Sequence, residues 1–279
     1  MFQILKKRRL NASMTLMVVQ APYIAKKAKA GQFIILRVHD KGERIPLTIA
    51  AYDREEGTIT IIFQLVGKTT MMLDQLNEGD AILDFTGPLG RPSELEGYRR
   101  VAVIGGGAGC AIAYPQAYAL YEMGTKVDII AGFRNKDLII LEEEMRAASE
   151  HLYLMTDDGS NGHKGFVTNA LQENLNQGII YDLVVAIGPL PMMRAVCEIT
   201  KKVGIKTIIS MNSIMIDGTG MCGCCRLTVG GKIKFACVDG PDFDGHEVDF
   251  DEAIKRSVTY KKQEREEADQ YKCRLIEGA

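Results

Sequence analysis

The chain has 279 residues, of which 46% are hydrophobic and 25% charged, and its formal net charge is -2. This length suits two compact domains and a small additional module. The charge balance argues against nucleic acid, which requires concentrated positive charge. The basic N-terminal segment has no apolar run behind it, and no stretch approaches the roughly 20 apolar residues of a membrane span. We therefore expect a cytoplasmic protein without a membrane or nucleic-acid partner.

Residues 1–97 are predicted to form an antiparallel β-barrel. Short β-rich runs are separated by turn-forming Gly, Asp and Asn, and one short helix is expected at residues 73–77. Antiparallel strands at this spacing favour closure into a small barrel. The predicted strands cover residues 14–19, 32–37, 58–64 and 81–85.

Two motifs in this first domain could hold a diphosphate. An arginine binds such a group through two parallel hydrogen bonds, and a glycine-led helix start offers backbone N–H donors. The motif that begins at Gly67 is not a P-loop, because Ile62 stands where a P-loop needs glycine. A surface arginine and an ordinary helix start explain both motifs equally well. The motifs are Arg44, Pro46, Leu47 and Thr48 at a strand start, and Gly67, Lys68, Thr69 and Thr70 at the helix start.

Residues 98–210 are predicted to form an α/β nucleotide-binding domain. The apolar run at residues 101–104 is typical of a strand buried on both faces of a parallel sheet. Further strands are expected at 127–131, 152–155 and 183–187, alternating with helices at 111–123, 167–176 and 192–203. This alternation indicates βαβ units and a parallel sheet.

Two loops of this domain are candidates for a dinucleotide. Gly105, Gly106, Gly107 and Gly109 join a strand to a helix, where backbone N–H groups can face a pyrophosphate; Cys110 replaces the last glycine of the usual motif. A tight turn without a ligand is the alternative. The second loop follows the strand expected at 152–155. A carboxylate there would accept a hydrogen bond from a ribose hydroxyl and repel a 2′-phosphate, which favours NAD over NADP. The alternative is that this segment is an ordinary turn. The carboxylates in question are Asp157 and Asp158.

Four of the seven cysteines lie between positions 222 and 237, and such a cluster favours metal binding over disulfides. The plant-type [2Fe–2S] spacing, C-x4-C-x2-C, aligns with Cys222 and Cys225 and places its first ligand at Asp217. We predict that Asp217, Cys222, Cys225 and Cys237 bind the cluster in a module over residues 211–250. Cys224 could instead be the fourth ligand, and a structural zinc site is the main competing interpretation.

Residues 251–279 are predicted to include a charged surface helix, because positions 251–272 are dense in charged side chains and lack glycine. Its few apolar positions can bury little surface, and a solvated helix without a role is one interpretation. Because the segment directly follows the cysteine module, we expect it instead to contact a partner subunit. Removal of everything after Phe250 is expected to spare the cofactors. No arrangement typical of a hydrolase stands out, and no side chain is expected to be catalytic.

These motifs together resemble the ferredoxin–NADP reductase superfamily, in particular its iron–sulfur branch, which includes the electron-transfer subunits of dihydroorotate dehydrogenase B. The motif at Arg44 resembles the family's flavin signature, and the helix start at Gly67 resembles its FAD-diphosphate site. The glycine turn, the Asp157 loop and Gly188-Pro189 resemble its nucleotide loops. The resemblance implies FAD, a [2Fe–2S] cluster and NAD(H), with NADP(H) disfavoured. Arg134 is the candidate phosphate partner should NADP(H) bind.

An Asp at position 217 resembles a narrower group, the small subunits of NADH-dependent ferredoxin:NADP oxidoreductases, also described as sulfide dehydrogenases; dihydroorotate dehydrogenase subunits carry four cysteine ligands. The resemblance implies a heterodimer whose large subunit carries a second FAD and [4Fe–4S] clusters, bifurcates electrons and reaches ferredoxin. The alternatives are an electron-transfer subunit of dihydroorotate dehydrogenase B, a sulfide or polysulfide dehydrogenase, and, in a different class, a zinc-stabilised non-catalytic interaction subunit.

Overall fold

The computed structural model describes residues 1–277, and its N-terminal part is an antiparallel sheet that curls into a nearly closed barrel. Its strands are β1 (Phe2–Asn11), β2 (Met14–Gln20), β3 (Phe33–Arg37), β4 (Ile45–Asp53), β5 (Thr58–Gln64), β6 (Ala81–Ile82) and β7 (Asp84–Leu89). They lie in the order β6-β1-β2-β5-β4-β3-β7. Two short helices, α1 (Pro22–Ala25) and α2 (Lys68–Gln75), complete this domain.

Alternation of apolar side chains explains the barrel core. In β5, Ile59, Ile61 and Phe63 are buried, and they pack with Met17 and Val19 of β2, because successive side chains of a strand point to opposite faces. The expected strand at 81–85 is instead two strands, β6 and β7. The expected helix at 73–77 begins earlier, at Lys68.

The second domain contains a six-stranded sheet with one antiparallel edge. Its strands are β8 (Arg100–Gly106), β9 (Lys126–Phe133), β10 (His151–Thr156), β11 (Leu183–Ile187), β12 (Thr207–Ser210) and, from the C-terminal module, β15 (Asp242–Asp244). The order is β10-β9-β8-β11-β12-β15, and only β15 runs antiparallel to its neighbour. Both faces are covered, as a parallel sheet requires.

Helices pack on each face of this sheet. The helices are α3 (Gly109–Glu122), α4 (Glu142–Ala147), α5 (Val167–Asn176) and α6 (Leu190–Lys202), with a 3-10 turn at Lys136–Leu138. α3 and α4 cover the face that carries Val101 and Val103, whereas α5 and α6 cover the face of Ala102 and Ile104. The predicted fold class, a flavin-type barrel followed by a parallel nucleotide-binding sheet and a small iron–sulfur module, is confirmed.

The cysteine-rich module consists of a loop, a hairpin and the strand β15. The hairpin strands are β13 (Arg226–Val229) and β14 (Lys232–Phe235). Because β15 joins the second sheet beside β12, the module continues the nucleotide-binding domain instead of standing apart from it. Its buried side chains share one apolar core with that domain and with Phe33 and Ile35 of the barrel.

The C-terminal segment forms two helices, so the expectation of a single charged surface helix is wrong in this respect. α7 (Phe250–Ser257) buries Phe250 and Ala253, and α8 (Lys261–Glu277) follows after a turn at which the hydroxyl of Thr259 donates to the Arg256 carbonyl oxygen. α8 packs against α2 with Ala268 buried. Residues 278–279 of the predicted segment lie outside the described residues. Within residues 1–277, no helix combines the length and apolar character needed to cross a membrane.

Candidate functional site

The loops that follow β8 and β11 meet at the carboxyl edge of the second sheet, where the strand order reverses. A side chain on Gly106 would approach Pro189 to 3.1 Å, and one on Gly188 would approach the Gly106 Cα to 3.2 Å. A side chain on either glycine would also meet the end of the Met192 side chain, at 2.8 Å from Gly188 and at a shorter distance from Gly106, so the two loops pack closely and leave little room for one. α3 begins at Gly109 beside them. Dinucleotides bind at such a switch point, with the pyrophosphate at the helix N-terminus.

The loops after β9 and β10 lie side by side at the same edge. The Asp157 N–H donates to the Phe133 carbonyl oxygen over 3.0 Å, and the Asp158 N–H donates to the Arg134 carbonyl oxygen over 3.3 Å. Hydrogen bonds from Ser160 lower the pKa of the exposed Asp158 carboxyl, which is ionised at neutral pH. The structure thus brings the predicted ribose-side carboxylates and the exposed Arg134 together on one rim.

In the barrel, the two predicted diphosphate motifs are neighbours. The Thr69 hydroxyl of α2 donates to Glu43 over 2.5 Å, and Glu43 directly precedes the exposed Arg44. The Thr70 hydroxyl accepts from the Gly67 N–H over 3.1 Å and so starts the helix. A side chain on Gly67 would meet no atom within 4 Å, so this helix start is open to a ligand. Pro46, Leu47 and Thr48 lie in β4, half-buried and paired with β3.

Lys68, the first residue of α2, is already in an ion pair. Its ammonium group lies 2.7 Å from the carboxylate of Glu267 in α8, and both side chains are partly exposed. Such an exposed pair contributes about 0–1 kcal/mol. A diphosphate at the helix start would therefore meet Lys68 without having to break a strong interaction.

The four predicted cluster ligands form two pairs. Asp217 accepts from the Cys222 N–H over 2.8 Å, and hydrogen bonds, above all from the Thr219 N–H, lower its pKa. The sulfurs of Cys225 and Cys237 lie 3.3 Å apart in the core. Burial raises the pKa of Cys237 to about 12, so a bound metal is needed to hold it as a thiolate.

Two separate pairs suit two metal ions better than one. A structural zinc ion requires four ligand atoms around a single centre, whereas a [2Fe–2S] cluster has two irons that share its protein ligands. Among the described residues, no three metal-binding side chains of this loop have ligand atoms within 4.8 Å of one another. The donor set therefore fits a binuclear cluster. The Cys224 thiol is hydrogen-bonded to Cys222, which raises the pKa of Cys224 and leaves it beside the first pair.

The cysteine loop lies directly on the barrel. Gly218 has a φ of 74°, and a side chain there would come within 2.7 Å of Leu89 in β7 and 2.8 Å of Ile35 in β3. The backbone of the predicted cluster loop at Gly218 therefore packs closely against side chains of the barrel.

Sequence reasoning missed the residues that join this module to both domains. Asp242 in β15 accepts hydrogen bonds from Ser93, just beyond the barrel, and from Gln116 in α3. The one available signal was Gln116 itself, a fully buried amide in an otherwise apolar stretch of helix. Nothing in the sequence pairs it with a residue 126 positions away.

Three family models match successive parts of the chain. They describe an oxidoreductase FAD-binding domain over residues 1–93, an oxidoreductase NAD-binding domain over residues 103–198, and the iron–sulfur cluster binding domain of dihydroorotate dehydrogenase B over residues 212–249. The order agrees with the three parts of the structure.

Similar proteins cover nearly the whole chain. A dihydroorotate dehydrogenase B (NAD(+)) electron transfer subunit homolog of Thermotoga maritima is 46% identical over 94% of this chain and 93% of its own length. The electron transfer subunit of Geobacillus thermodenitrificans is 34% identical over 81% and 88%. A chain of the solved NADH-dependent reduced ferredoxin-NADP oxidoreductase, described as a flavin-based bifurcating enzyme, has a TM-score of 0.91, 44% identity and coverage of 96% and 97%.

Replacing Gly218 should disturb the cysteine loop more than replacing Gly223 does. Both residues have positive φ, 74° and 68°, so alanine costs each about 1 kcal/mol of backbone strain. Only Gly218 also lacks space, since a side chain on Gly223 would meet nothing closer than Phe235 at 3.8 Å. We expect Gly218→Ala to lose most of its bound iron and Gly223→Ala to keep it, as measured by iron content per chain. Equal iron in both variants would contradict the packing argument.

Proposed function

The chain belongs to the dihydroorotate dehydrogenase B-type electron-transfer subunits of the ferredoxin–NADP reductase superfamily, and we propose that it serves a bifurcating NADH-dependent ferredoxin:NADP oxidoreductase. It is an oxidoreductase subunit with domains for FAD, NAD(H) and an iron–sulfur cluster. The observation that carries the proposal is the position of the cysteine loop, which lies on the barrel strands while its own β15 extends the nucleotide-binding sheet.

The chain's own residues bind and orient the cofactors. When bound, the nicotinamide supplies a hydride, the flavin accepts it, and the cluster carries single electrons. Arg44 and Lys68 would hold the FAD diphosphate together with the backbone N–H groups of Thr69 and Thr70. The glycine turn at residues 105–109 and the Gly188-Pro189 loop would receive the dinucleotide. No described side chain is required as a general acid or base.

Asp217 favours the bifurcating subfamily over dihydroorotate dehydrogenase B. The carboxylate accepts hydrogen bonds from its own loop in the position where the related spacing has a cysteine. The 44% identity and 0.91 TM-score to the bifurcating enzyme also support this choice. A dihydroorotate dehydrogenase partner is the second candidate, supported by the family model over residues 212–249.

A larger partner subunit would dock over the exposed end of the cysteine loop. Cys222 is exposed there beside Met221, which is 88% exposed, and the hairpin presents Ile233, 67% exposed. Apolar side chains around a redox site typically mark a protein interface. We propose that the complex works in the cytoplasm, a reducing compartment that suits the seven cysteines, none of which is in a disulfide within residues 1–277.

Serine substitutions should separate the cluster ligands from the bystander. Cys222→Ser, Cys225→Ser and Cys237→Ser should each abolish the paramagnetic resonance signal of the reduced cluster, because each removes an iron–sulfur bond. Cys224→Ser should leave the signal and is the matched control. Loss of the signal in Cys224→Ser together with its survival in Asp217→Ala would show that Cys224 is the fourth ligand. A colourless wild-type protein that contains zinc would refute the redox function itself.

NADH should reduce the bound flavin more efficiently than NADPH. Asp157 and Asp158 would face the adenosine ribose, and a carboxylate near a 2′-phosphate costs about 1 to 2 kcal/mol, or roughly a tenfold loss in kcat/KM. Stopped-flow measurement of flavin reduction with both nucleotides tests this preference. The double substitution Asp157→Asn and Asp158→Asn should bring the kcat/KM values for NADH and NADPH closer together. Equal or faster reduction by NADPH in the wild type would indicate that Arg134 binds the phosphate.

Deletion of α8 should weaken partner binding without loss of the cofactors. α8 buries Ala268 and exposes almost all of its other described side chains, so its outer face can contact a partner. A chain that ends at Thr259 should keep flavin, iron and NADH-driven flavin reduction while co-purifying less of the large subunit. Undiminished co-purification would place the interface elsewhere.

Truncation after Phe250 was expected from the sequence to spare the cofactors, but it does not isolate the role of α8, because it also removes most of α7, which supports the cysteine loop. Arg256 donates to the Cys224 carbonyl oxygen over 3.1 Å, and Glu252 accepts from the Thr228 N–H over 3.0 Å. A chain ending at Phe250 is therefore the contrasting variant, and it should lose iron as well as the partner.

A further inference from the structure

The segment that follows Cys237 is held from both sides. On the barrel side, the Arg91 N–H donates to the Gly240 carbonyl oxygen over 2.7 Å. On the side of the nucleotide-binding domain, the Met211 N–H donates to the Pro241 carbonyl oxygen over 2.9 Å. The segment therefore sets where Cys237 lies relative to both domains.

The Asp242 carboxyl group lies at the centre of this junction. Its Oδ2 accepts from the Ser93 hydroxyl over 2.5 Å and from the Gln116 Nε2 over 3.2 Å. Ser210 is its partner in the β12–β15 ladder, and the Ser210 side chain is near enough to favour the ionised form of the carboxyl and so to lower its pKa. One carboxyl group thus links the end of the barrel, helix α3 and strand β12.

Two oxygen atoms at this junction have no partner. Asp242 Oδ1 and Gln116 Oε1 are both buried and make no hydrogen bond. Oδ1 belongs to the carboxyl group whose Oδ2 accepts the hydrogen bond from Gln116 Nε2. Oε1 belongs to the amide group that donates this bond. An ionised carboxylate and an amide oxygen are both acceptors, so neither can satisfy the other. A single proton on Oδ1 would give both atoms a partner.

We propose that Asp242 is protonated in the folded protein and acts in that form as a positioning residue, donating from Oδ1 to Gln116 Oε1. The carboxyl and the amide then form a ring of two hydrogen bonds, and this ring ties the Cys237 segment to α3. The role in electron transfer rests on the proposed function, in which Cys237 binds the cluster; the proton itself does not.

The surroundings of Asp242 support the neutral form. Burial raises its pKa, and the groups that oppose this shift are the neutral donors Ser93, Ser210 and Gln116. Arg91, Glu94 and Asp244 on the packed segments are exposed, and Arg91 donates to the Val238 carbonyl oxygen instead. Asp239, which is partly buried in the same segment, accepts from the Phe235 N–H and pairs with Lys234. Among the described residues, no cation is placed to stabilise an ionised Asp242.

The consequence is a dependence of stability on pH. Because the folded pKa lies above the ordinary value of 3.8, the contribution of this group is complete below 3.8 and is lost as the pH rises through the raised pKa. Ionisation would remove the bond to Gln116 Oε1 and loosen the segment that carries Cys237.

The test compares Asp242→Asn, Asp242→Ala and the control Asp244→Asn in the full chain. An asparagine can donate to Gln116 Oε1 and accept from Nε2, so it reproduces the protonated acid. We expect Asp242→Asn to keep the wild-type thermal midpoint and iron content, to lose the infrared band of a protonated carboxyl, and to lose the decline of the midpoint with rising pH. Asp242→Ala should lower the midpoint at every pH, and Asp244→Asn should behave as the wild type.

Electron transfer provides the functional readout. The rate at which NADH reduces the cluster should fall more steeply with rising pH in the wild type than in Asp242→Asn. A wild type without the carboxyl band, or an Asp242→Asn variant as unstable as Asp242→Ala, would overturn the proposal. A protein that shows the band and the pH dependence but binds no cluster would preserve the proton assignment while refuting the proposed function.

Discussion

The arrangement of the whole chain depends on one shared apolar core. Phe33 and Ile35 of the barrel, Ile104 of the parallel sheet and the buried Cys225 and Cys237 belong to a single packed cluster. Because close-packed protein interiors do not deform freely, the positions of the three parts are coupled. The pairing of β15 with β12 adds backbone hydrogen bonds to that coupling. A cofactor subunit needs this property, since the protein's contribution to redox chemistry is to hold the cofactors at fixed positions.

The nucleotide-binding edges are formed largely by backbone. The loops of Gly106 and Gly188 pack closely across the switch point, and Gly67, which precedes the first residue of α2, has open space around it. Peptide N–H groups bind phosphate oxygens without the rotamer entropy that long side chains lose on ordering. The side chains at these edges then select among ligands. Asp157, Asp158 and Arg134 lie together on one rim, which carries both the charge that repels a 2′-phosphate and the charge that would bind one.

Local patterns explain which elements could be predicted. β5, α5 and β11 have the predicted bounds, because the signal of each lies within the segment itself: alternation in β5, helical periodicity in α5 and a continuous apolar run in β11. β1 was not predicted, since its Lys and Arg residues resemble an exposed tail until β2 pairs with it. β12 was missed because a four-residue strand between a helix and an irregular loop has too little periodicity to detect. The cysteine spacing led to a ligand prediction from the sequence alone, whereas the Asp242 junction joins residues distant in sequence and has no local pattern.

The two proposed ligand pairs differ in environment, and this difference would affect the path of an electron. Cys225 and Cys237 lie in the core, where burial opposes negative charge and raises the pKa of the Cys237 thiol. Asp217 and Cys222 lie at the accessible end, where backbone N–H groups and solvent stabilise negative charge. In a bound cluster, the exposed pair would accommodate added negative charge at the lower cost. The exposed pair is also the end nearest Met221 and the proposed partner surface, so the local electrostatics favour transfer outward from the barrel.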